Sequence, residues 1–134
     1  MKLLVGAFLI GHALIHASYL SPAPPRTADG PEWPFEMARS WLVTWAGLDP
    51  ELVRTLGTAM VLATIALLIG AGLSTLGWLV PSEWWMSLVV GGAVASALTL
   101  AVFFHPWIAL GLVIDAALLW AALGAGWTPA TATP

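Results

Sequence analysis

A chain of 134 residues that is 60% hydrophobic and only 8% charged is not an ordinary soluble domain. Soluble domains carry roughly 25% charged residues, and a globule this small has too little interior to hide so much apolar surface. A net charge of −3 with no basic cluster excludes nucleic acid as a partner, and the lack of cysteine excludes disulfides, thiolate metal sites and dithiol redox chemistry. The expected fold is all-α: an integral membrane four-helix bundle in one domain, with the lipid bilayer as its first partner.

The first apolar run covers residues 3–20. A crossing needs roughly 20 residues, so it is just long enough. Met1-Lys2 resembles the basic start of a signal peptide, but Ile15-His16-Ala17 is a poor cleavage site and the run contains two histidines. The expectation is a retained first span.

Residues 21–51 have a different composition. Ser21-Pro22-Ala23-Pro24-Pro25 is a stiff, extended exit, because proline cannot continue a helix. Most of the charge follows: Arg26, Asp29, Glu32, Glu36, Arg39, Asp49 and Glu51. Within this loop, Trp33 to Ala46 reads as a short amphipathic helix lying in the membrane interface. Trp41 and Trp45 share one face, and tryptophan favours the headgroup level. Trp33, Trp41 and Trp45 are therefore expected as a lid over one mouth of the bundle.

Asp49-Pro50-Glu51 is a strong helix start: a cap, a proline at the first helical position and an acid in the first turn. The later spans are expected at about 53–80, 84–104 and 107–123, with Pro81-Ser82-Glu83 and His105-Pro106-Trp107 as tight turns and a frayed tail over 124–134. Connections this short force successive helices to run antiparallel. Stripes of small residues, Ala66/Gly70/Ser74 and Ser87/Gly91/Ala95/Thr99, are the expected close-packing faces. The positive-inside count, Arg26, Arg39 and Arg54 against Lys2, slightly favours a cytoplasmic long loop; the signal-anchor look of the first span favours the opposite, and the expectation is a cytoplasmic N-terminus with the long loop outside.

A titratable group costs roughly 2.5–3.5 kcal/mol at the centre of a membrane helix, so each one present needs a reason. The chain offers His12, His16 and Asp115 inside spans and His105 at an edge. His12 and His16 stack on one helix face, and Tyr19 continues it. His12 and Asp115 each lie about eight residues, or about 12 Å, in from the loop side, which places them at one depth. The candidate binding group is thus His12, His16, Tyr19, His105 and Asp115. A structural reading is a buried His12–Asp115 hydrogen bond that fixes helix register, with His16 and His105 snorkelling to the interface. Three functional readings stand beside it. One is a non-enzymatic accessory or ligand-binding subunit with a polar His/Asp pocket under the Trp-rich loop. Another is a metal- or haem-binding, redox-linked protein that uses His12, His16, His105 and Asp115. The third is a proton-coupled small transporter, which needs a dimer to build a pathway from so few spans; the accessory subunit is instead expected to work as a homo-oligomer or within a larger membrane complex. No catalytic motif is present: there is no GxSxG, no HExxH and no phosphate-binding glycine loop. The sequence names no cofactor.

The size, the four expected spans and the Gly11-His12 pair in the first helix resemble the DoxX-like group of small bacterial membrane proteins. The resemblance implies an accessory role beside membrane oxidoreductase systems. No functional residue carries across from it. A composition rich in alanine, tryptophan and leucine points to a high-GC bacterium and hence to its inner membrane.

Overall fold

The computed structural model describes residues 1–25, 30, 32–129 and 131. Among them there is no strand. Helix α1 (Lys2–His16) continues as a 3-10 turn over Ala17–Leu20; α2 (Trp41–Thr44) is one short turn in the first loop; α3 (Pro50–Leu76), α4 (Trp85–Val102) and α5 (Ala109–Leu119) form the rest. With their 3-10 and π extensions, four segments are long and apolar enough to cross a membrane: Lys2–Leu20, Pro50–Leu76, Ser82–Val102 and Pro106–Gly124. These bounds lie close to the expected ones, and the largest difference is at the end of the second.

That difference has a local cause. Gly77 adopts a left-handed conformation, φ 70°, and Trp78 N–H turns back onto Leu73 O at 2.9 Å. This closure ends α3 at Leu76 rather than near Val80. At its other end α3 starts as expected: Asp49 accepts from Leu52 N at 2.9 Å, Pro50 stands in the first turn and Glu51 faces the positive helix end.

The first loop departs from the expectation. Trp33 to Ala46 is not one amphipathic helix. It contains a 3-10 turn, Met37–Arg39, and then α2. Pro34 disfavours helical geometry at Trp33. Ser40, at ψ 138°, separates the two turns; its Oγ accepts from Leu42 N at 3.2 Å and donates to Val102 O at 2.8 Å. The loop is thereby tied to the end of α4. The expected charges at Arg26 and Asp29 lie outside the described residues, as do positions 130 and 132–134 of the expected frayed tail.

Packing runs α1–α3, α3–α4 and α4–α5, while α1 and α5 come less close to each other. The tightest crossing is not on either expected stripe. A Cβ on Gly72 would stand 2.9 Å from Gly6 O, so α1 and α3 meet backbone to backbone there. In α4, Ser87 is exposed and the buried face is Trp85, Val89, Gly92, Ala93, Ser96, Thr99 and Leu100. The stripes fail because residues spaced strictly by four drift around a helix of 3.6 residues per turn.

The core has two halves. Leu9, Ala13, Leu68, Ala71, Trp85, Val89 and Ala122 form one; Tyr19, Met37, Val53, Val61, Leu100, Phe103 and Ile108 form the other, under the first loop. The outer faces are as apolar as the core, with Leu14, Leu62, Leu98, Leu110 and Val113 among the exposed side chains.

Candidate functional site

The polar residues lie between the two core halves. Along α1, His12 and His16 fall between Leu9 and Tyr19; along α4, Ser96 falls between Val89 and Leu100; along α5, Asp115 falls between Ile108 and Ala122. All four are buried, His16 at 2% and Asp115 at 0% exposure.

They form one connected network. His12 Nε2 is 3.0 Å from Asp115 Oδ1. Ser96 Oγ donates to Asp115 Oδ2 at 2.6 Å and is 2.9 Å from His16 Nε2. His12 and Asp115, which residue counting puts at one depth, are thus in direct contact. Thr64, a buried polar residue of α3, stays outside the network because its hydroxyl donates to Met60 O on its own helix.

The proton positions follow from donor arithmetic. With Asp115 ionised, both its oxygens accept, so His12 donates through Nε2–H. A serine hydroxyl has one proton, and here it goes to Asp115. Ser96 must then accept from His16, which carries its proton on Nε2. In neutral His16 this leaves Nδ1 as a bare acceptor, and Nδ1 is buried without a hydrogen-bond partner. Buried polar atoms without partners are uncommon and costly.

Tyr19 continues the histidine face, with its ring centroid 6.4 Å from that of His16, and donates to Phe103 O at 3.4 Å. It stands between the network and an open hollow of about 600 Å³ at the loop side whose walls include Trp33, Glu36 and Arg54. A smaller cavity of about 160 Å³ lies directly at the network: His12 and His16 supply its polar wall, and Ile15, Phe35, Leu100 and Ile114 are among its apolar walls. The smaller one is the candidate site, because its lining includes His12 and His16 of the network and that of the larger one includes neither.

His105 is held elsewhere. Its Nδ1 accepts from Trp107 N at 3.2 Å and caps the turn that starts the fourth apolar segment. The expected four-donor set of His12, His16, His105 and Asp115 is therefore not assembled, and among the described residues no three His, Asp or Glu side chains are grouped to hold a metal ion. Of the expected lid, Trp33 packs edge-on against Phe35 at 5.3 Å. Trp41 donates through Nε1 to Ala101 O at 3.0 Å, and Trp45, 84% exposed, lies against Trp41. The loop residue that reaches the cavity is Phe35.

Sequence reasoning misses two site residues, Ser96 and Phe35. Ser96 is legible by the depth rule that serves for its neighbours: it lies about eight residues in from the loop-side end of its span, as His12 and Asp115 do. Phe35 has no such signal, since loop geometry decides its placement.

No family model, curated protein or solved structure matches the chain. The DoxX-like resemblance therefore rests on the sequence features alone.

Proposed function

We propose that the chain is a four-span integral membrane protein that acts as a non-enzymatic ligand-binding subunit, with the His12–Asp115–Ser96–His16 network as the polar end of its site. The membrane reading is supported by four long apolar helices whose outer faces are lined by exposed leucine, valine and tryptophan. Water would leave these faces uncovered, whereas acyl chains cover them. The composition favours a bacterial inner membrane.

The observation that carries the binding reading is the position of the network: two of its members, His12 and His16, line a cavity of about 160 Å³ whose other walls are mostly apolar. Polar groups converging on an apolar cavity are the usual make-up of a small-molecule site. In this reading the subunit works as a homo-oligomer or beside a larger membrane partner.

Native mass spectrometry of protein extracted from its own membrane tests the reading. The expected result is a small molecule retained by the wild type and lost from the His12→Leu/Asp115→Leu double variant. A species retained equally by both, or a wild type that emerges bare from every mild extraction, overturns it.

A further inference from the structure

The bundle is least filled where α1 faces α5. Two cavities lie along that seam. One, of about 160 Å³, has Ile15 of α1 and Leu110 of α5 among its walls. The other, of about 250 Å³, has Phe8 of α1 and Leu118 of α5 among its walls. His12 and Asp115 fall between these pairs along both helices and meet at 3.0 Å. The seam is thus held by a polar contact with unfilled space on either side of it. The neighbouring crossings are closer. Gly72 of α3 lies against Gly6 of α1, and a Cβ on Gly111 of α5 would stand 2.6 Å from Leu100 Cδ1 of α4.

The charges at this contact balance for one added proton and not for two. His12 touches Asp115 directly, His16 reaches it through Ser96, and the two imidazole rings are 5.4 Å apart. No other titratable group shares the load. From α4 comes Ser96; on α3, Thr64 donates to Met60 O; Tyr19 donates to Phe103 O; the loop brings Phe35; and His105 accepts from Trp107 N. Among the described residues no lysine, arginine or second acid is bonded to the network. One proton on His12 makes an imidazolium–carboxylate pair and leaves the network neutral. A second proton, on His16, has no carboxylate of its own and stands beside a like charge in apolar surroundings.

We propose that the α1–α5 seam is an acid-opened gate: uptake of a second proton by the His12, His16 and Asp115 cluster parts α1 from α5, while α1 stays on α3 and α5 stays on α4. Parting the helices lets water reach both imidazolium rings. The open state then binds one proton more than the closed state, so falling pH favours it, by up to about tenfold in the open-to-closed ratio per pH unit. The gate goes beyond the ligand-binding reading, because it concerns the movement of the seam whether or not the cavity holds a molecule.

The test measures distances between paired spin labels on the full chain, which has no cysteine of its own. Leu14→Cys with Val113→Cys reports on α1 and α5; Leu62→Cys with Leu98→Cys reports on α3 and α4; all four side chains are exposed. Double electron–electron resonance in lipid nanodiscs from about pH 8 to about pH 4.5 covers the ordinary histidine range and extends below it. The expected result is a longer α1–α5 component that grows as pH falls, with the α3–α4 distance constant. His16→Gln keeps an N–H for Ser96 and removes the second proton site, so its seam should stay closed. Asp115→Asn removes the carboxylate that balances the first proton, so its seam should open at higher pH than that of the wild type.

An α1–α5 distance unchanged at the acid end overturns the gate. So does lengthening that His16→Gln shares, an Asp115→Asn transition at or below the wild-type pH, or an α3–α4 distance that lengthens in step, which is general acid unfolding. Should Asp115→Asn fail to fold, the wild type and His16→Gln decide the question with the two label pairs. None of these outcomes touches the ligand-binding reading, which stands or falls on the species retained in native mass spectrometry.

Discussion

His12 Nε2 meets Asp115 Oδ1 at 3.0 Å across 103 residues of chain, and it does so between the two helices, α1 and α5, that pack least closely among neighbours in the bundle. The contact therefore closes the ring of helices with a polar clasp where the others close with side-chain packing. A clasp of this kind is poor at adding net stability, because the desolvation of both groups offsets their attraction. Its strength shows when one half is removed. His12→Leu leaves a buried carboxylate with Ser96 as its remaining partner and should cost about 3–5 kcal/mol. The His12→Leu/Asp115→Leu double variant leaves no orphaned charge and should be more stable than His12→Leu. Unfolding in mixed micelles measures both, and a double variant less stable than the single would refute the clasp.

How much of this was legible in the sequence follows from what each feature depends on. Helix limits depend on local chemistry, such as Asp49-Pro50 and Pro106, and they lie within a few residues of the expected bounds. That His12 and Asp115 share a depth follows from counting residues along straight helices; that they face each other is decided by how α1 and α5 are turned in the bundle. The interfacial helix did not form because Pro34 and the hydrogen bonds of Ser40 outweigh a hydrophobic pattern over so short a stretch. The packing stripes were misplaced because the orientation of a helix apolar on every side cannot be read from its own sequence. Gly6 and Gly72 are adjacent only after α1 and α3 have docked.

That docking supplies a second prediction. Gly72→Ala places a methyl 2.7 Å from Ile10 Cγ1 and 2.9 Å from Gly6 O, and a backbone oxygen has little freedom to yield. The expected cost is about 1–3 kcal/mol. Gly11 is the control: a methyl at that position would meet nothing within 4 Å, so Gly11→Ala should be neutral or slightly stabilising through helix propensity. Melting of the two variants in the same detergent separates crossing geometry from propensity, and equal melting points would count against the close crossing.

Ser40 joins the first loop to the bundle through its bond to Val102 O and caps α2 through Leu42 N. Ser40→Ala removes both and should cost about 1 kcal/mol in global stability. The larger effect should be local. Limited proteolysis should cut the loop faster in the variant, since of the two described hydrogen bonds from Ser40 and Trp41 to the end of α4 only that of Trp41 to Ala101 O then remains. Ser40→Thr keeps the hydroxyl and should restore most of the protection. An unchanged digestion rate in Ser40→Ala would show that the loop is anchored by something other than this residue.

The medium around the bundle can be tested at Val113, which is 63% exposed and close to the middle of the fourth apolar segment. In water, an exposed valine replaced by aspartate gains solubility at little cost. In a bilayer the same change places a carboxylate against acyl chains, at about 2.5–3.5 kcal/mol on insertion scales. The expected outcome of Val113→Asp is a loss of membrane-fractionated protein, with Val113→Leu indistinguishable from the wild type. Val113→Asp protein found folded in the soluble fraction, in place of aggregated or degraded material, would mean that the apolar faces are covered by protein. An oligomer interface over α5 would then replace lipid as the partner of that face.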